Sequence, residues 1–197
     1  MAKESVVICI CGMAGSGKST IAKRLAEKYG LKYYSGGDAL KAFAIEEGYP
    51  PLKHGWWESK EGMRFLERRS KNPKFDQTVD KKFLELALQG NIVLDSWTMP
   101  WLLQKGFKIW LAACPEKRAE RIAGRDGMSV KEALEALEGK EETTKAIFKK
   151  LYGFSLGEDF TPFHLILDTS NLNKEEVFRI LCMTLENVVL KPSKLHA

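Results

Sequence analysis

The first chemical signal is a set of four residues, Gly12, Gly17, Lys18 and Ser19, in the spacing G-x-x-x-x-G-K-[ST]. Glycines at these places let the backbone curl around an anion without Cβ clashes. N–H groups at the start of a following helix then face phosphate oxygens, and the positive end of that helix favours them. Lys18 can reach the outer phosphates of a triphosphate as a point charge, and the Ser19 hydroxyl can ligate Mg²⁺. The candidate nucleotide-phosphate loop is therefore Gly12, Met13, Ala14, Gly15, Ser16, Gly17, Lys18, Ser19 and Thr20. A bare glycine turn before an ordinary helix would use the same residues; the placement between an apolar strand and a helix favours the phosphate site.

Further candidates lie at the ends of other apolar runs. Asp95 closes Asn91–Asp95 and suits the carboxylate that holds the magnesium water shell, with a turn residue as the alternative. Arg121 and Arg125 are spaced i, i+4, so they share a helix face beside Gly124 and Gly127, where a hinge is expected. Guanidinium groups there can stack on a purine or clamp a phosphate, and a solvated face is the plain alternative. Asp38 follows a short strand and suits a helix N-cap; Lys41 lies one turn on, where its amine can meet an acceptor phosphate or solvent. Arg64 and Arg68 share a face of their helix and either cap the same acceptor or point to water. Trp56 and Trp57 read as packing of a small lobe, with base stacking as the alternative. His54, His164 and His196 show no metal spacing, so no zinc site is expected.

Several elements must position these groups. Val6–Cys11 is an uncharged, β-branched run, as in a strand buried on both faces. A helix is expected over Lys18–Tyr29, a strand over Leu31–Tyr34 and helices over Ala39–Glu47, Glu58–Ser70 and Thr78–Gln89. Strands follow at Asn91–Asp95 and Phe107–Ala112, then a helix over Glu116–Ala123 and a turn at Gly124–Gly127. Two helices, Val130–Leu137 and Lys140–Tyr152, precede a last strand, His164–Asp168. The closing helix Asn173–Val189 opens with a capping-box pattern, Asn173 with Glu176, and Lys191–Ala197 is expected to fray. Alternating strands and helices imply a parallel sheet with right-handed crossovers and ligands at the carboxyl ends of the strands. The expected class is α/β, a three-layer P-loop fold on a five-stranded parallel sheet.

Totals narrow the function. The chain has 197 residues, 44% hydrophobic and 29% charged, enough for one well-buried domain. The net charge of +5 is spread out and no basic tract alternates with aromatics, which speaks against nucleic acid as a partner. Of four cysteines, Cys9 and Cys11 share one face of the first strand, and no C-x-x-C pair exists, as suits a reduced cytoplasmic protein. No signal core and no apolar run long enough to span a bilayer is present, so neither secretion nor membrane insertion is expected.

These motifs together resemble the nucleoside monophosphate kinases, and among them the short archaeal-type cytidylate kinases. The resemblance covers nearly the whole chain through Ile10–Leu31, the SGGD at Ser35–Asp38, Leu84–Asp95, Lys108–Leu134, Lys149–Gly153 and Asp168–Asn171. It implies that Gly12–Thr20 binds ATP, that Arg121 lies on the adenine side and that Arg125 meets the transferring phosphate. It also implies an acceptor site at Asp38 and Lys41; from the residues themselves, Arg64 is a further acceptor candidate and Ser19 and Asp95 are the candidate magnesium ligands. One domain is expected, with its core at 5–37, 78–123 and 160–190, an acceptor-binding part at 38–77 and a lid at 124–153. The implied reaction is phosphoryl transfer from Mg·ATP to CMP or dCMP by a monomer acting on small nucleotides. A P-loop kinase with another small acceptor, and an ATP-binding switch or slow ATPase, are the alternatives. The chain departs from the family pattern at Trp97, at Ala146 and Ile147, and at Lys140, where arginines are usual. Lysine cannot reproduce a bidentate clamp, and the acceptor half of the resemblance is the divergent half.

Overall fold

The structure is a computed structural model that describes residues 5–52 and 55–190. His54, His196 and the expected fray at Lys191–Ala197 lie outside the described residues. Five parallel strands form one sheet: β1 (Val7–Cys11), β2 (Lys32–Ser35), β3 (Ile92–Asp95), β4 (Phe107–Ala112) and β5 (Leu165–Asp168), in the order β2-β3-β1-β4-β5. The register puts Ile10 and Ser35 opposite Asp95, and Ala112 opposite Asp168. The loops after β1, β2 and β3 therefore leave the sheet along one edge. Strand β1 sits between β3 and β4, so the crossovers diverge at its carboxyl end and open a crevice there.

The alternation of β1 explains the two covered faces. Ile8 and Ile10 pack with Ile21 and Leu25 of α1 (Lys18–Tyr29) and with Leu181 and Leu185 of α8 (Lys174–Val188). Cys9 faces the other way, toward Val79 and Phe83 of α4 (Lys74–Gln89), and Cys11 meets Phe148 of α7 (Val130–Tyr152). Burial in these apolar layers pushes both thiols well above the ordinary cysteine range. The edge strand β5 alternates half-buried and exposed positions, with Leu165 and Leu167 inward.

Several expected boundaries move. Ser35, not Asp38, caps α2 (Gly36–Glu46): its Oγ accepts from the Asp38 N–H at 3.2 Å, which places Asp38 in the first turn. Trp56–Glu58 is a separate 3₁₀ turn, and Ser59 caps α3 (Lys60–Lys71). Helix α4 starts at Lys74 rather than Thr78, which adds a turn carrying Asp76. After β3 comes a short helix α5 (Met99–Leu102).

The expected break at Gly124 is absent. Helix α6 (Pro115–Asp126) runs through Gly124 and ends at Gly127, whose φ of 71° is left-handed. The two helices expected over Val130–Leu137 and Lys140–Tyr152 are one, α7, with Gly139 inside it. A helical glycine costs only about 1 kcal/mol against alanine, and burial of Ala133, Leu137, Thr144 and Phe148 along α7 outweighs it. Among the described residues, no helix is long and apolar enough to cross a membrane.

Candidate active site

The loop between β1 and α1 wraps tightly. A Cβ on Gly12, at φ 152°, would stand 2.5 Å from the Leu111 carbonyl, and one on Gly15, at φ 79°, would stand 2.7 Å from the Arg118 carbonyl. Gly17 precedes α1 in the left-handed region, and no side chain caps that helix. Side chains cap α2, α3, α7 and α8, whereas α4, α5 and α6, like α1, lack such a cap. The N-terminal donors of α1 are thus left for a ligand, the usual arrangement of an anion site. Ser16 Oγ, inside the loop, is buried without a hydrogen-bond partner.

One cavity of about 900 Å³ adjoins this helix end. Ala14–Thr20 line it, whereas Gly12 lies outside the lining and Met13 packs in the cluster around Phe148. Asp38, Asp95, Arg121 and Arg125 also reach the cavity, as the sequence led one to expect. Asp95 is buried and accepts from the Tyr33 hydroxyl at 3.2 Å. Burial, reinforced by Asp95, raises the Tyr33 pKa, so this hydroxyl remains a donor.

The i, i+4 arginines diverge. Arg121 turns toward the phosphate loop: its guanidinium donates to the Thr169 carbonyl at 2.5 Å and to Thr169 Oγ1 at 3.1 Å. It also donates to the Gly15 and Ser16 carbonyls at 3.5 Å. Arg125 turns to the connection between α2 and α3, where it meets Glu58 at 3.0 Å, and it also pairs with its neighbour Asp126 on α6 at 2.5 Å. The hydrogen bonds that Arg125 donates to Asp126, with Glu58 adding to them, push the Arg125 pKa up despite partial desolvation.

Lys41 and Arg64 are not brought to the cavity. Lys41 Nζ donates to the Leu52 carbonyl at 2.7 Å, which ties down the chain after α2. Arg64 faces outward from α3, and Arg68 pairs with Glu47. The α3 arginine that does line the cavity is Arg69, which is buried and pairs with Asp76 at 2.6 and 2.8 Å. Arg69 stacks its guanidinium over Phe148, 5.3 Å from the ring centroid.

Next to this pair sits Asp80, which accepts from Thr98 Oγ1 and the Tyr152 hydroxyl, both at 2.5 Å. Burial pushes its carboxyl up to about 6, against the pull of those two donors. Asp76, Asp80 and Arg69 form a polar floor about one side of the cavity, with Leu40, Val79 and Phe83 as its apolar wall. The spacing of Asp76 and Asp80 is the missed signal: both are on one face of α4 once the helix starts at Lys74.

Between floor and phosphate loop stand Trp97 and Lys140. Trp97 donates its indole N–H to the Gly12 carbonyl at 2.5 Å, and Lys18 Nζ stands 5.2 Å from its ring centroid. Lys140 is buried, 2.9 Å from Glu58 and 5.4 Å from the Trp57 centroid. Burial lowers its pKa, with Glu58 opposing that shift and the nearby Lys18 and Arg125 reinforcing it. Trp56 is core, as a packing residue should be, but its neighbour Trp57 lines the cavity. Arg118, not singled out in the sequence, braces the phosphate loop from behind by donating to the Ala14 carbonyl while paired with Glu141. His164 lies at the amino end of β5, accepting from the Lys108 N–H at 3.0 Å.

One cavity thus joins the start of α1 to a recess lined by Arg69, Asp76 and Asp80 and by the aromatic side chains of Trp57, Phe83, Trp97 and Phe148. Residues 7–171 match the model of the cytidylate kinase-like family. A cytidylate kinase of Pyrococcus horikoshii is 33% identical over 189 residues, covering 95% of this chain and 92% of its own. One of Aeropyrum pernix is 37% identical over 174 residues, covering 87% and 94%. Among solved structures, shikimate kinase from Acinetobacter baumannii in complex with shikimate superposes with a TM-score of 0.54 at 18% identity, over 94% of this chain and 96% of its own. Deoxyadenosine kinase from M. mycoides with bound dATP gives 0.53 at 18% identity, over 92% and 100%. These two likenesses speak to the fold. The chain belongs to the cytidylate kinase-like family.

Proposed function

We propose that the protein transfers the terminal phosphoryl group of ATP to CMP or dCMP, releasing ADP and the nucleoside diphosphate. The observation that carries this is the single cavity joining the uncapped start of α1 to the Arg69–Asp76–Asp80 floor. Relatives named cytidylate kinase, matched over most of their length, favour a cytidine nucleotide at the floor.

In this reading, Gly12–Thr20 cradles the triphosphate, Lys18 holds its outer phosphates, and Arg121 and Arg125 neutralise charge as it develops. Catalysis is positioning plus electrostatics, with no covalent intermediate on the chain. Ser19 at the first turn of α1 and Asp95 at the tip of β3 both line the cavity and offer hard oxygen ligands. That pair would hold a magnesium ion beside the phosphates. Bound there, magnesium would neutralise phosphate charge. Residues 38–77 serve as the acceptor-binding part and 124–153 as a lid that excludes water on closing. The four cysteines are free, which suits a reducing cytoplasm, and the protein works as a monomer on small nucleotides.

Trp97 and the occupied Lys140 favour a second reading, a kinase for another small acceptor. ADP release measured with ATP and a panel of CMP, dCMP, UMP, AMP and small hydroxyl acceptors separates the two. CMP or dCMP should stimulate release most; stimulation by a non-nucleotide alone would select the second reading, and stimulation by none would leave an ATPase.

A further inference from the structure

Glu58 is an acid in the wrong place for an ordinary solvent-facing residue. It ends the 3₁₀ turn on the connection before α3, yet its side chain is only 3% exposed and lines the cavity. Its two carboxylate oxygens are divided between two cations on other elements: Oε2 to Arg125 Nη2 on α6 at 3.0 Å, and Oε1 to Lys140 Nζ on α7 at 2.9 Å. Asp126 supplies the second carboxylate on Arg125, so the cluster of two acids and two bases is neutral as it stands. A carboxylate bridging two cations occupies the place an incoming phosphate oxygen would take. A dianionic phosphate cannot share that place with Glu58 without strong like-charge repulsion at short range.

We propose that Glu58 is a positioning residue that keeps Arg125 and Lys140 occupied until the phosphate of the acceptor displaces it. This rests on the kinase reading and adds to it an order of events. With ATP alone, the lid cations stay on Glu58 and Arg125 is withheld from the terminal phosphate. When the acceptor phosphate takes Lys140, Glu58 leaves, and Arg125, which then keeps only Asp126, is free to turn a donor toward the transferring group. The device restrains the wasteful reaction in which water adds to the terminal phosphorus as the bond to the ADP oxygen breaks, giving inorganic phosphate and a proton to solvent. The segment that delivers Glu58 also delivers Trp57, over which Lys140 lies, so removal of the carboxylate leaves the lysine stacked in place.

The test compares wild type with Glu58→Gln, which keeps shape and removes charge, and with Glu58→Asp, which keeps charge but is too short to reach both cations. In Glu58→Gln, KM for CMP should fall about tenfold, and acceptor-independent ATP hydrolysis should rise by a similar factor, the size of one charge-assisted contact. The kcat for transfer should change less than KM. Glu58→Asp should move both quantities the same way by a smaller factor. An unchanged KM and unchanged hydrolysis, or a fall in kcat at constant KM, would overturn the proposal. Calorimetric titration with inorganic phosphate separates it from the kinase reading. If no nucleotide accepts phosphate but Glu58→Gln binds phosphate more tightly than wild type, the kinase reading fails and the displacement stands. Equal phosphate affinity in both proteins overturns the displacement even where CMP is phosphorylated.

Discussion

The indole N–H of Trp97 donates to the carbonyl of Gly12 at 2.5 Å, so the loop after β3 is bolted to the phosphate loop after β1. The same ring lies under Lys18 and meets Phe148 of α7 edge-on at 6.4 Å. A residue standing where the family resemblance leads one to expect arginine therefore braces the loop before α1 and adds no charge to the cavity.

Replacing Trp97 by phenylalanine keeps a ring and deletes the hydrogen bond. The loss should cost about 1 kcal/mol of stability and lower kcat/KM for ATP by about tenfold, with KM for CMP nearly unchanged. Steady-state kinetics with each substrate varied in turn checks this. Trp97→Arg should lower KM for CMP by adding a cation to the cavity lining; no gain would count against CMP as the acceptor.

Lys18 sits half-buried on the first turn of α1 and lines the cavity, with Trp97 as its neighbour. Lys18→Ala should therefore abolish transfer, by at least about 10²–10³-fold, while leaving the melting temperature close to that of wild type. Coupled ADP release and a thermal melt decide; retained turnover would remove Lys18 from the mechanism.

Asp80 gives stability a pH dependence of unusual sign. Its carboxyl ionises at an ordinary value near 3.8 when unfolded and at about 6 in the folded protein. Between those values the folded state binds more protons, so stability falls as pH rises, and above about 6 the full penalty, on the order of 3 kcal/mol, is present. Asp80→Asn removes this titration. Urea unfolding of both proteins should show the variant gaining on wild type as pH goes from about 4 to about 7, whatever its constant offset from altered contacts with Thr98 and Tyr152. A difference independent of pH would place the Asp80 titration elsewhere.

The donor half was legible because local rules decide it. An apolar strand, a glycine loop and an amphipathic helix are contiguous in sequence, and Lys18, Ser19 and Asp95 line the cavity where that logic puts them, while Gly12 shapes the turn from outside the lining. The acceptor half depends on packing between distant elements. Arg69 rather than Arg64 points inward because Phe65, Leu66 and Arg69 share the buried face of α3, and its partner Asp76 lies on the next helix. Lys41 is taken by the Leu52 carbonyl, a contact set by the course of a connection rather than by helix periodicity. Glycines 124 and 139 read as breaks, yet tertiary packing of α6 on α7 through Ala119, Ile122, Ala133 and Leu137 keeps both helices continuous. The closing helix, by contrast, was written out in its Asn173–Glu176 capping box.

The central claim is that one cavity holds donor and acceptor together, and a ligand joining adenosine to cytidine through a pentaphosphate tests it most directly. One molecule per chain should bind, in competition with both ATP and CMP, and a crystal of the complex should show it running from Lys18 to the Asp80 floor. Competition with ATP alone, with the cytidine end left in solvent, would contradict the account.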